Sequence, residues 1–82
     1  MIFSGCNTTT EGGGEKGNGK KCMFPFIYQN IKYERCITVD SNTGPWCSTN
    51  VDESRHHIEE AGYWGLCPDS CPVEGMIIIN HL

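Results

Sequence analysis

Residues 22–36 read CMFPFIYQNIKYERC; nine residues later come Trp46 and Cys47, then STNVD over residues 48–52 and YWGLC over residues 63–67. Four cysteines are interleaved with aromatic rings at short spacings, in a stretch with few aliphatic residues. That pattern describes a small fold stapled by disulfides, whose rings have little interior in which to be buried.

Length and composition point the same way. With 82 residues, 38% hydrophobic content and ten glycines, the chain builds one small domain at most, and hydrophobic burial alone leaves such a domain marginal. Six cysteines, an even number in so short a chain, favour three disulfides and an extracellular or otherwise oxidising compartment, while leaving the pairing open. A net charge of −4, a calculated pI near 5.2 and no basic stretch longer than Lys20-Lys21 argue against nucleic acid as a partner. The start MIFSGC is too short an apolar segment for a signal peptide, so the leader of a secreted protein is expected to lie outside this sequence. No apolar run approaches the roughly 20 residues of a membrane span. Asn7-Thr8-Thr9 is an N-glycosylation sequon, which fits a secreted surface segment.

Residues 1–21 end in EGGGEKGNGKK, a tract whose glycines resist ordering, and are expected to form a flexible arm tied down only at Cys6. Phe24, Phe26 and Tyr28 alternate with Met23, Pro25 and Ile27, the period-two pattern of an extended segment with one aromatic face, restricted to an edge by Pro25. Gln29-Asn30 can turn the chain so that residues 31–36 return as a partner strand. Residues 40–45, DSNTGP, are a loop by composition, delivering Trp46 and Cys47 into a second extended segment whose natural antiparallel partner is residues 63–67. Between them, residues 52–62 are polar and suit a single helical turn, capped by Asp52 or Ser54 and stopped by Gly62. Residues 72–82 form a tail or the start of a following domain. Within it, Met76, Ile77, Ile78 and Ile79 are the strongest aliphatic run, suited to an edge strand, a second copy or a further domain.

The ordered set Cys22, Pro25-Phe26, Ile27, Tyr28, Cys36, Trp46-Cys47, Asp52, Trp64 and Cys67 resembles a fibronectin type II module, a kringle-like fold. The resemblance implies a small, disulfide-rich, mostly irregular domain over residues 22–71, with two short antiparallel β-sheets. It also implies Cys22 paired with Cys47 and Cys36 with Cys67. Cys6 and Cys71 then remain, and joining them would clamp the arm to the end of the module. Because that arm is a glycine tract expected to pack little, this third bond is expected to be dispensable for folding. The chain departs from the family pattern at Glu53, where an aromatic usually follows the aspartate, at Leu66, at Asn30 and in the longer loop before Trp64. Its ending resembles variants in invertebrate extracellular proteins.

In that family an exposed aromatic surface binds denatured collagen or, in some members, choline. A preformed ring patch offers apolar area at low entropic cost, and ring faces attract quaternary ammonium groups. Tyr28, Trp46 and Trp64 match cage positions, and Tyr63 or Tyr33 could replace the ring missing at Glu53. The competing role for Phe26, Tyr28 and Trp46 is simply the small core. A metal site is disfavoured because the close cysteine pair, Cys67 and Cys71, has no matching second pair. His56 and His57, beside Glu53, Glu59 and Glu60, read as a solvated loop able to tune binding with pH. No nucleophile motif or phosphate loop with flanking strand and helix is present, and no cofactor is implied, so no enzyme is expected. The expectation is a secreted, non-catalytic module binding collagen- or gelatin-like chains, with choline phospholipid as the alternative ligand and a free-standing toxin or protease inhibitor as the alternative class.

Overall fold

A computed structural model describes residues 5–74, in which four short strands form two antiparallel sheets and no helix occurs. Strand β1 (Phe26–Tyr28) pairs with β2 (Ile31–Tyr33), with Phe26 opposite Tyr33 and Tyr28 opposite Ile31. The link is a two-residue turn in which Gln29 and Asn30 both take left-handed conformations, φ 52° and 69°, the geometry whose twist suits a tight hairpin. Strand β3 (Trp46–Ser48) pairs with β4 (Trp64–Leu66), and its other edge exchanges hydrogen bonds between Trp46 and Ile37 at 2.8 and 2.9 Å.

Where the two sheets meet they build an aromatic core. Phe26 is fully buried, with its ring centroid 5.7 Å from both Tyr33 and Trp46. Ile37, Cys36 and Cys47 complete the interior. The period-two aromatic face therefore serves two purposes: Phe26 fills the core while Tyr28, two residues on, reaches its margin.

The disulfides are Cys6–Cys71, Cys22–Cys47 and Cys36–Cys67, at Cα separations of 5.5, 5.6 and 6.6 Å. They stack together, and the sulfurs of Cys6, Cys22, Cys36 and Cys67 lie within 4.8 Å of one another. Each is already bonded to another sulfur, so the cluster holds no thiolate of the kind zinc requires.

Two sequence expectations need correction. The first is the helical turn over residues 52–62. The chain instead reverses sharply: Asp52 accepts hydrogen bonds from the Ser54 and His56 amides at 2.8 and 2.9 Å, and Arg55 sits at φ 72°. The amide of His56 holds the Asp52 carboxyl below its ordinary range. The reversal prevails because the open edge of β1 takes up the backbone that a helix would have used: Ile27 donates to Arg55 O at 2.8 Å and accepts from the His57 amide at 2.9 Å.

The second is the free arm. Residues 5–21 fold back on β4 as an added layer of backbone, with Thr9 donating to Leu66 O, Gly14 to Trp64 O and Lys16 to Gly62 O at 2.9–3.1 Å. The buried Thr8 hydroxyl locks the returning loop, donating to Gly17 O at 2.7 Å and accepting from the Lys20 amide at 2.9 Å. Glycine is needed here for close approach. A Cβ on Gly17 would collide with the Trp64 carbonyl, and one on Gly65 would lie 2.5 Å from Thr8 Cβ. The tract is thus packed through its main chain, and the Cys6–Cys71 bond anchors a layer that covers β4. At the other end, residues 72–74 run beside Cys36, which donates to Pro72 O and accepts from the Glu74 amide. The aliphatic run at residues 76–79 lies outside the described residues.

Candidate functional site

Trp46 forms the floor of an aromatic cup on one face of the β3–β4 sheet. Only 6% exposed, it is fixed by its indole N–H, which donates to Val39 O at 2.8 Å. Three rings stand around it: Tyr28 at 5.1 Å and nearly perpendicular, His57 at 5.4 Å, and Trp64 at 6.3 Å and again nearly perpendicular. Tyr28 arrives from β1, Trp64 from β4 and His57 from the Asp52 reversal docked on β1. The cavity they bound measures about 470 Å³, and the 40–43 loop, Glu59 and Gly12 of the N-terminal tract complete its wall.

Tyr28, Asp40 and His57 are tied into hydrogen bonds at the cup. Tyr28 donates its phenol to Asp40 at 2.7 Å, and Gln29 reaches the same carboxylate oxygen at 3.1 Å. That hydrogen bond, helped by burial and the carboxylate charge, pushes the Tyr28 phenol up to about 12. His57 Nδ1 lies 2.7 Å from Ser48 Oγ, whose own hydrogen is directed to Asn50 O. This network assigns the hydrogen of the neutral imidazole to Nδ1. Burial lowers the His57 pKa below its ordinary value, with Glu59 opposing the shift. The result is a preformed ring surface bordered by two carboxylates, Asp40 and Glu59, able to receive apolar groups, hydrogen-bond donors and cations.

Of the five candidate ligand residues, Tyr28, Trp46 and Trp64 converge in the cup. Tyr33 does not: it is 8% exposed and packed against Phe26, a core ring opposite it across the hairpin. Tyr63 does not either. Successive residues of an extended chain point to opposite faces, so Tyr63 lines a second cavity while its neighbour Trp64 lines the cup. The fourth ring of the cup, which the sequence offered to Tyr63 or Tyr33, is His57, which the two histidines' polar surroundings disguised as a solvated loop. Its neighbour His56 does stay exposed, 3.7 Å from Asp52. Asp40 was hidden for a similar reason, its loop composition giving no sign that Tyr28 would bond to it. Glu53 is exposed and lies outside the cup. Asn7 is exposed and its backbone pairs with Lys21.

The Fibronectin type II domain family matches residues 22–67, more than half of the chain. The sequence is 41% identical over 56 residues to the human (Homo sapiens) cation-independent mannose-6-phosphate receptor, covering 68% of this chain and 2% of that protein. It is 36% identical over 59 residues to the 72 kDa type IV collagenase of Gallus gallus, covering 68% of this chain and 8% of the relative. To matrix metalloproteinase-9 of Canis lupus familiaris it is 36% identical over 53 residues, covering 63% and 7%. The chain therefore spans less than a tenth of the length of these relatives. No solved structure matches it significantly.

Proposed function

This chain belongs to the fibronectin type II family, and from that premise we propose that it is a secreted, non-catalytic module that binds collagen- or gelatin-like chains in the cup of Tyr28, Trp46, Trp64 and His57. The observation that carries the reading is the cup itself: a floor ring held by a buried hydrogen bond and side rings held by three separate elements, hence rigid before a ligand arrives. Two of the similar proteins support the choice of ligand, one by its name, a type IV collagenase, the other a matrix metalloproteinase. Three disulfides that use every cysteine support an oxidising, extracellular setting and, with it, glycosylation at the exposed Asn7. The functional unit includes the N-terminal tract, since that tract supplies Gly12 to the cup wall.

Retention of the oxidised protein on immobilised gelatin tests this reading, with a tandem repeat of the domain as the sensitive form. Binding through rings survives moderate salt. Trp64→Ala, at a half-buried position, is expected to weaken retention about tenfold or more, as removal of a central aromatic anchor does, with a cooperative thermal melt retained. Absence of retention by both the single and the tandem protein overturns the ligand assignment.

A second ligand is favoured by Asp40 and Glu59, carboxylates beside a ring set suited to a quaternary ammonium. Phosphocholine titrated to millimolar concentration then quenches or shifts tryptophan fluorescence saturably. A flat response excludes it.

A further inference from the structure

Of the four rings of the cup, His57 alone carries a nitrogen lone pair, and its neighbours decide which nitrogen offers it. Ser48, fully buried on β3, directs its hydroxyl hydrogen to Asn50 O at 2.9 Å, so His57 Nδ1, 2.7 Å from the same hydroxyl oxygen, is the donor of that contact. The His57 amide, donating to Ile27 O at 2.9 Å, fixes the backbone behind the ring. Burial keeps the imidazole neutral at pH 7 by lowering its pKa from 6.5. The lone pair therefore sits on Nε2, which has no hydrogen-bond partner among the described residues and is reached by solvent.

From this arrangement, and resting on the gelatin reading above, we infer that His57 Nε2 receives the hydroxyl of a hydroxyproline side chain, so that the cup selects hydroxylated over unmodified prolyl residues. Chains of repeating Gly-X-Y triplets carry hydroxyproline at Y. Its pyrrolidine ring has no flexible side chain to order, so its methylenes lie against aromatic faces at low entropic cost. The hydroxyl that enters with them must find an acceptor or forfeit its hydrogen bond to water. His57 supplies that acceptor within the ring surface itself, its centroid 5.4 Å from Trp46, 5.9 Å from Tyr28 and 6.4 Å from Phe26.

The other acceptors at the cup suit other ligands. Asp40 and Glu59 are exposed, so a neutral donor bonding to either displaces water at little net gain. Asp40 also already accepts from Tyr28 and Gln29. As carboxylates, both favour a cation over a hydroxyl. Half-buried and uncharged, His57 favours a neutral donor. A prolyl-rich chain has few amide donors, because proline has no N–H, and a glycine amide would reach Nε2 only if the main chain itself descended among the rings. A side-chain hydroxyl makes the same contact with the main chain left at the rim.

The experiment compares binding of the oxidised full chain to two peptides of equal length, one of Gly-Pro-Hyp and one of Gly-Pro-Pro triplets, both too short to form a triple helix, followed by tryptophan fluorescence. The hydroxylated peptide should bind about five to ten times more tightly, the worth of one hydrogen bond. His57→Phe keeps a ring and removes the acceptor; it should bring this ratio below about twofold while leaving the affinity for the unmodified peptide within about threefold. Ser48→Ala keeps the imidazole but removes the group that holds its hydrogen on Nδ1, and should lower the ratio in the same direction with a cooperative thermal melt retained. A merely structural role would weaken both peptides in proportion and leave the ratio intact, so a preference that survives in either folded variant overturns the inference. Equal binding of the two peptides by the wild type also overturns it, with the gelatin reading left standing. Binding of neither peptide overturns it as well, and loss of gelatin retention beside that overturns the reading on which it rests.

Discussion

The aromatic cup and the glycine tract both rest on β4, yet they are built by opposite means. In the cup and the core beneath it, side chains make the contacts: Phe26, Trp46, Tyr28, His57 and Trp64 meet ring to ring over 5.1–6.4 Å. In the tract, main chain meets main chain, and side chains would only intrude. A glycine-rich run thus has two readings, one as a linker that resists order and the other as a strip thin enough to lie against a strand. Composition does not separate them. What does is whether a strand edge with free carbonyls is waiting, and here Leu66, Trp64 and Gly62 supply them.

The contrast can be broken most forcefully from the side-chain half. Phe26→Ala removes the fully buried ring that joins the two sheets and should cost about 3–5 kcal/mol, enough to unfold a domain of this size at ambient temperature; a cooperative melt close to wild type would show that the rings are not the core. Replacing Cys36 and Cys67 by Ser should have a comparable effect, about 2–5 kcal/mol, read as loss of near-ultraviolet circular dichroism. Replacing Cys6 and Cys71 by Ser should instead release the tract. Amides bonded between residues 9–16 and β4 would exchange with solvent while those of the β1–β2 hairpin stay protected. Uniform loss of protection would mean that the two regions form a single unit.

Gly17→Ala is the finer probe of the main-chain half. The added Cβ meets the Trp64 carbonyl, and the resulting displacement should cost about 1–3 kcal/mol, localised by hydrogen exchange to the tract and β4. No loss of stability would show that the close approach is not needed.

The smallest effect is a pH dependence that sharpens the cup. His57 titrates below its ordinary value of 6.5 because it is partly buried, so folding favours its neutral form. The corresponding stability is fully present above pH 6.5 and is lost as the pH falls through the lowered folded value. Tyr28 works at the other end: its pKa is raised to about 12, so its contribution is complete below pH 10 and declines between there and about 12. Thermal melts at pH 7.5 and 5 should show a modest acid destabilisation that His57→Gln removes. An unchanged acid effect in that variant would place its origin in a group other than His57; Asp52, whose carboxyl is held below its ordinary value of 3.8, titrates below this pH range.

The sequence by itself determined the hairpin, the partnership of the two later strands and three of the four rings of the cup. These follow from short-range regularities: aromatic alternation along β1, a turn residue tolerant of positive φ at Asn30, and a tryptophan just before Cys47 and another shortly before Cys67. The tertiary structure alone decided what depends on distant backbone. It brought His57 into the cup by laying residues 55–57 against Ile27, chose Asp40 as the partner of Tyr28, buried Tyr33, and converted a glycine tract into a layer packed on β4. Side-chain pattern is written locally, whereas the hydrogen-bonding capacity of a strand edge is the same for every sequence and is filled by whichever segment the fold brings to it.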